Sequence, residues 1–489
     1  MATLESLNFD NSYIQLPEHF YQETTPTALN NPHLIAFNAE VAQLLDLDPC
    51  HANPSALAQY LGGEKLFPGS EPLAMKYTGH QFGVYNPELG DGRGLLLGEV
   101  VNQNNERWDL HLKGAGKTAF SRCGDGRAVL RSSIREYMIG EAMHYLGIPS
   151  TRALAIAGSE ELAMRDGMME PCAAVLRVTK SHIRFGHFEY FYHTRQHDDL
   201  KRLADYCLTR YFPEFLASEK PVLRMYEEVV RRSARLVAQW QAYGFVHGVL
   251  NTDNMSIIGE TFDYGPYSFL DAYKPATVSN HNDHQGRYAF YRQPEITHWN
   301  LSCLGQALLP LIDREDVIAV LDSYPALFAT KFQQIFRQRL GLTLQEPEDG
   351  TLIEELLKLC DAQQLDLNRF IRTLSHNDEQ LMGEFLLSSS GNLSACQPWL
   401  DKFQQRLQLE ETNLNPNERK AQMLKVNPKY ILRNYMAEEA IRAATAGDFT
   451  VLHDLMLLLR NPMEEQPEFQ KYSETPPDWA GGICLTCSS

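Results

Sequence analysis

The chain has 489 residues, a formal net charge of −18 at neutral pH and an ordinary 44% of hydrophobic residues. That length allows two to four lobes with full cores, and the acidic balance argues against nucleic acid as a partner. No apolar run reaches about 18 residues, so no membrane-spanning helix and no membrane association are expected.

The start, Met1-Ala2-Thr3-Leu4-Glu5-Ser6, has neither the basic region nor the apolar core of a signal peptide. The nine cysteines are scattered and odd in number, which fits a reducing, cytoplasmic setting. Residues 1–75 read as a lead-in punctuated by Pro and Asn, with one helical pattern from Leu34 to Leu45.

The first informative stretch is Leu89-Gly90-Asp91-Gly92-Arg93-Gly94, a turn whose glycines let backbone N–H groups approach a phosphate. A strand from Leu95 to Val101, an Asn-rich turn and an alternating run from Trp108 to Lys113 then predict a hairpin ending on Lys113. Some twenty residues on, a helical pattern from Ile134 carries Glu136 inward to that lysine. This is the layout of the small lobe of a protein kinase.

Other readings of these glycines fit less well. A dinucleotide loop would lead into a helix, whereas Leu95 opens a strand. Gly114-Ala115-Gly116-Lys117-Thr118 ends like a Walker A loop, but His111 stands where its first glycine belongs. A plain turn remains the simplest alternative for each. A second such turn, Cys123-Gly124-Asp125-Gly126-Arg127, lies where ordinary kinases have no phosphate loop.

Arg177 ends the apolar run from Ala173, and Arg184 follows in Ser181-His182-Ile183-Arg184-Phe185-Gly186. Both suit bidentate contact with phosphate, and Arg177 suits a structural ion pair equally well. A helical pattern covers Asp198 to Gly244. After it, Phe245-Val246-His247-Gly248-Val249-Leu250-Asn251-Thr252-Asp253-Asn254 aligns with the kinase catalytic loop through His247 and Asn254. Val249 then occupies the place of the catalytic base, and Asp253 stands beside the metal-ligand position instead. Nine residues beyond Asn254, Phe262-Asp263-Tyr264-Gly265 has the form of a kinase metal site. Singly these are ordinary turns and strand ends; their order is the signal. Helical periodicity dominates from Trp299 to about Leu459, including Asn300 to Ile312 and Asn434 to Ala446, and a Pro-rich extended tail follows.

With these residues in view, the chain resembles the selenoprotein O family, protein adenylyltransferases of pseudokinase fold, in its bacterial Cys-containing form. The resemblance runs end to end. It rests on Tyr77-Thr78-Gly79-His80-Gln81-Phe82-Gly83, the two glycine turns, His111-Leu112-Lys113-Gly114-Ala115-Gly116, Arg184-Phe185-Gly186-His187-Phe188-Glu189, Asn251-Thr252-Asp253-Asn254-Met255 and Asp283-His284-Gln285-Gly286-Arg287-Tyr288.

It implies an α+β, kinase-like two-lobe fold: an N-terminal extension over 1–75, an N-lobe over 76–178, a C-lobe with catalytic and metal loops over 179–330, and a helical C-terminal region with a Cys-containing tail over 331–489. It implies ATP bound in a flipped pose and transfer of AMP to Ser, Thr or Tyr hydroxyls of proteins. Gly90, Gly92, Arg93, Lys113, Asp125, Gly126, Arg177, Arg184 and Asp263 would bind the nucleotide, with Glu136 orienting Lys113. Asn254 and Asp263 would bind Mg²⁺, with Mn²⁺ as the alternative ion, and Asp253 would be the proton acceptor.

Cys484 and Cys487 match the family's ending and are candidates for a redox role. A latch between the tail and the segment from Tyr264 to Arg292 cannot form, since that segment has no cysteine. Two alternatives stand beside AMP transfer: an atypical protein kinase using Asp253, and a catalytically dead nucleotide-binding scaffold.

Overall fold

The computed structural model describes residues 2–389, 391–410 and 414–486. The architecture is α+β. Its centre is an antiparallel sheet of eight strands: β1 (Tyr21–Glu23), β2 (His33–Phe37), β3 (Leu73–Met75), and, after the small hairpin of β4 (Gly79–Gln81) and β5 (Val84–Asn86), β6 (Gly94–Val101), β7 (Arg107–Lys113), β8 (Ala128–Val129), β9 (Arg152–Arg165) and β10 (Met168–Thr179). The spatial order is β1-β3-β6-β7-β10-β9-β2, with β8 pairing β10.

Both faces of this sheet are covered, and strand alternation sorts its residues between them. Leu95, Leu97, Leu110, Leu112, Ala174, Leu176 and Val178 pack towards α1 (Ala39–Leu44) and α2 (Pro54–Leu61). Leu96, Ala173 and Val175 face the opposite way, towards α3 (Leu130–Tyr145). On that second face β7 presents His111 and Lys113, and β10 presents Arg177 directly opposite His111 in the ladder. The period of two thus gathers the sheet's basic residues on one side.

The chain continues through α4 (Phe185–His193), α5 (His197–Tyr211) and α6 (Pro221–Tyr243), then β11 (Phe245–Val246) and β12 (Ser268–Phe269), which pair with each other. The helices α7 (Gln293–Ala307) and α8 (Arg314–Arg339) pack on α6. Beyond them come α9 (Asp349–Gln363), α10 (Leu367–Ser375), α11 (Glu379–Ser388), α12 (Leu393–Gln408), α13 (Pro416–Val426), α14 (Asn434–Thr445) and α15 (Thr450–Arg460), the last two resting against α3. Among the described residues no helix is long and apolar enough to cross a membrane.

Three expectations need correction. The pattern from Leu34 to Leu45 is not one helix: its first part is β2, paired with β9, and the Asn38 side chain caps α1 by accepting from the Glu40 and Val41 amides. The helical run from Asp198 to Gly244 is two helices, broken between Tyr211 and Pro221, with a short turn at Pro213–Phe215. The last segment is docked rather than extended: Pro467–Ser473 and Asp478–Gly482 are tight 3₁₀ turns, and Tyr472 and Leu485 are buried.

The joint between the sheet and α4 is close. A Cβ added at Gly186 would lie 2.0 Å from the Thr78 carbonyl oxygen, and the Thr78 amide donates to the Gly186 carbonyl at 3.1 Å. Gly186→Ala is therefore expected to lower stability by about 1–3 kcal/mol or more in thermal denaturation. Gly383→Ala on α11, where a Cβ meets open space, should instead raise it by up to about 1 kcal/mol.

Candidate active site

A cavity of about 670 Å³ opens between the sheet and the loops that follow α6. Its lining includes Gly90, Gly92 and Arg93 from the first glycine turn, Asp125 and Gly126 from the second, Lys113 and Arg177 from the sheet, Arg184 before α4, and Asp253, Asn254 and Asp263 from the loops. The residues singled out in sequence converge here, with Glu136 directly behind them. Residues after Lys117 form turns, and the next helix starts only at Leu130, so no Walker A helix cradles a phosphate.

The back wall is a chain of alternating buried charges. Lys113 Nζ and Arg177 Nε both donate to the Glu136 carboxylate, and Arg177 adds a second bond at 3.2 Å. The other end of Arg177 reaches Asp263 Oδ1 at 2.9 Å, and Arg184 pairs with Asp263 Oδ2. Arg184 is held further by the Asp253 carbonyl at 2.9 Å and by stacking on the Tyr77 and Phe262 rings at 4.4 and 4.7 Å.

Electrostatics follow from burial. Desolvation opposes the charge on Glu136, but Arg177 and Lys113 outweigh it and hold the carboxyl down at about 2. Desolvation wins for Lys113, whose ammonium drops to about 8 despite Glu136. Burial is likewise overcome at Asp263, which Arg184 and Arg177 hold well below the usual carboxylate range. Arg93 lines the cavity, and among the described residues its side chain makes no ion pair or hydrogen bond.

Asp253 differs from every other acid here. Burial pushes its carboxyl up to about 7, against the pull of Arg184 and a hydrogen bond from Gln81 Nε2 to Oδ2 at 3.1 Å. Among the described residues its Oδ1 has no hydrogen-bond partner. Asn254 donates Nδ2 to the Val249 carbonyl at 3.0 Å, which leaves its side-chain oxygen to the cavity. Val249 lines the same cavity and offers no titratable group.

The second glycine turn is built around Gly126, whose φ is +73° and where an added Cβ would lie 2.1 Å from the Gly116 carbonyl group, so no side chain fits. The Asp125 carboxylate is not free; it takes a bidentate contact from Arg165 at 2.7 and 2.8 Å.

Several contributors had no sequence assignment. Asp91 is buried, accepts from the Met75 amide at 3.1 Å and faces His111 Nε2 at 3.2 Å, which pins the first turn to the sheet. Gln81 and Tyr77 hold Asp253 and Arg184 from the segment before it. The motif from Tyr77 to Gly83 was the available signal. Cys484 is exposed, and Cys487 lies outside the described residues.

Removing the charge of Glu136 would leave two buried cations facing each other. Glu136→Gln is expected to cost about 3–5 kcal/mol of unfolding free energy, measured by denaturant titration, whereas Arg93→Gln should leave stability nearly unchanged.

Comparison with known proteins gives a consistent picture. The family model described as "Protein adenylyltransferase SelO" matches residues 3–460. A protein from Hahella chejuensis named protein nucleotidyltransferase YdiU is 56% identical over all of this chain and 99% of its own length. Proteins of the same name from Vibrio vulnificus and Azotobacter vinelandii are 48% and 46% identical, each over 100% of both chains.

Proposed function

The chain belongs to the SelO family of protein adenylyltransferases, and from that premise we propose how its residues carry out the reaction. The enzyme is a nucleotidyltransferase that modifies proteins with AMP from ATP. The reading of its mechanism rests above all on Asp253, a buried carboxyl at about 7 with one unpartnered oxygen in the cavity, while the base position of kinases holds Val249. A general base is most effective when its pKa lies near the working pH.

In this reading ATP enters in the flipped pose, within a kinase-like pair of lobes whose boundaries follow the sequence division at residues 75, 178 and 330. The glycine turns at Gly90–Gly92 and Asp125–Gly126 offer backbone amides to the outer phosphates, and Arg93, Lys113 and Arg177 offset their charge. Arg184 reaches the cavity beside Asp253. A Ser, Thr or Tyr hydroxyl of a protein substrate attacks the α-phosphorus, Asp253 accepts its proton, and the bond to the β-phosphate oxygen breaks to release pyrophosphate. The cations stabilise the negative charge that builds on the leaving group.

The donors beside Asp253 are oxygens only, from Asn254 and Asp263, and they fit a hard divalent cation. Asn254 and Asp263 would hold Mg²⁺, with Mn²⁺ as the alternative, which when bound polarises the phosphate and neutralises charge. The eight cysteines of the described residues are all free thiols, consistent with a cytoplasmic protein, and the net charge of −18 argues against a nucleic-acid partner.

The deciding experiment supplies ATP labelled at the α- or the γ-phosphate with a divalent cation and a protein acceptor. Label from the α-phosphate alone should reach protein, with the mass of AMP on a hydroxyl residue. Transfer of γ-label would instead make this a kinase. Asp253→Asn should lower transfer by at least about a hundredfold while ATP binding persists; joint loss of both would remove the role given to Asp253.

A pH effect follows from Lys113. As pH rises through about 8 the ammonium loses its proton, so affinity for the anionic nucleotide should fall between pH 7 and 9.5. Fluorescent-nucleotide titration checks this, and Lys113→Arg, which keeps its charge, should flatten the profile.

A further inference from the structure

A second polar cluster lies behind the loop of Asp253, outside the cavity. It joins His80 on β4, Glu189 on α4 and Cys303 on α7, each offering one ligand atom, all within 4.8 Å of one another. Glu189 is 1% exposed and Cys303 7%. The Glu189 oxygens are unequally served: Oε2 accepts from the Thr252 hydroxyl at 3.0 Å and faces His80 Nδ1 at 3.2 Å, while Oε1 has no hydrogen-bond partner among the described residues. Among the described residues no Lys or Arg pairs with this carboxylate. Arg287, the cation nearby, stacks its guanidinium on the Trp299 ring at 4.7 Å.

An unpaired buried carboxylate is costly. Protonated His80 would offset part of the charge through Oε2, yet it would leave Oε1 unserved and give no role to a thiol placed beside it. A divalent cation accounts for all three groups. One imidazole, one carboxylate and one thiolate are the borderline-soft donors of zinc rather than the all-oxygen set of Mg²⁺ or Ca²⁺. Two anionic ligands cancel the charge of the ion, so the buried site is neutral overall. Bond lengths of about 2.0–2.3 Å ask the side chains to close in slightly, and water fills the fourth position on the part-exposed His80 side.

We infer that His80, Glu189 and Cys303 form a zinc-class metal site that fixes the loop carrying Asp253. Binding replaces the Cys303 S–H bond with a metal–sulfur bond and releases the proton to solvent. The mechanical link is short: Glu189 holds the Thr252 hydroxyl, the His80 amide donates to the same hydroxyl at 2.7 Å, and Asp253 is the next residue. His80, Glu189 and Cys303 act as positioning residues, each on a different element.

The test uses full-length protein stripped with chelator and titrated with Co²⁺, then Zn²⁺. The expected result is one equivalent of Co²⁺ bound at micromolar affinity or better, with a thiolate-to-cobalt charge-transfer band in the near ultraviolet that Zn²⁺ displaces. Cys303→Ala should abolish the band, and His80→Ala should weaken binding by roughly tenfold or more. Cys123→Ser, in the main cavity, should leave the band unchanged. Zn²⁺ should also raise the Tm of the stripped protein but not that of Cys303→Ala. The inference is overturned if folded wild-type protein binds neither ion, or if the band survives in both Cys303→Ala and His80→Ala. His80→Ala alters a partly exposed side chain, so it remains informative if Cys303→Ala fails to fold.

Discussion

The site depends on one buried carboxylate. Glu136 lies between Lys113 and Arg177, and the far end of Arg177 meets Asp263, which in turn holds Arg184. Five charges alternate in sign along this line, and each comes from a different part of the fold: a strand, a helix, a second strand, a loop and the entry to another helix. Burying any one of them alone would be prohibitive; together each is satisfied by its neighbours. Two consequences follow. The cations are fixed in place before any ligand arrives, and the line connects the sheet to the loops on the other side of the cavity.

The same reasoning explains why neighbouring acids behave so differently. Asp263 and Glu136 are held as anions by paired arginine and lysine. Asp253 sits in a comparably dry place but receives only a side-chain amide and a more distant guanidinium, so desolvation prevails. Glu136, Asp263 and Asp253 thus differ in how readily they hold a charge according to the number of cations each touches.

Much of this was legible in the sequence because it depends on short-range periodicity. Alternation along Trp108–Lys113 fixes which face Lys113 takes, and helical spacing brings Glu136 round to it. The glycine turns and the Asn254 and Asp263 positions are local motifs. What could not be read depends on distant partners. The apolar run at Leu34–Phe37 suits strand or helix equally and becomes a strand because β9 stands beside it. Gln81 meets Asp253 from 172 residues away, and the motif from Tyr77 to Gly83 gave no spacing rule that would pair them. The break before Pro221 was marked by its prolines, but the amphipathic pattern continues across it and conceals the gap.

Both outer strands of the main sheet come from the first forty residues: β1 at one edge and β2 at the other. Their partners are made much later, since Tyr21 pairs with Met75 and His33 with Gly158. During synthesis β1 has its partner once β3 is made, but β2 must wait until β9 has emerged before the second edge can close. A topology of such distant pairings folds slowly and leaves strand edges open in the interval. One edge strand of the sheet, β2, is thus among the first segments made yet can be paired only after β9 has followed it.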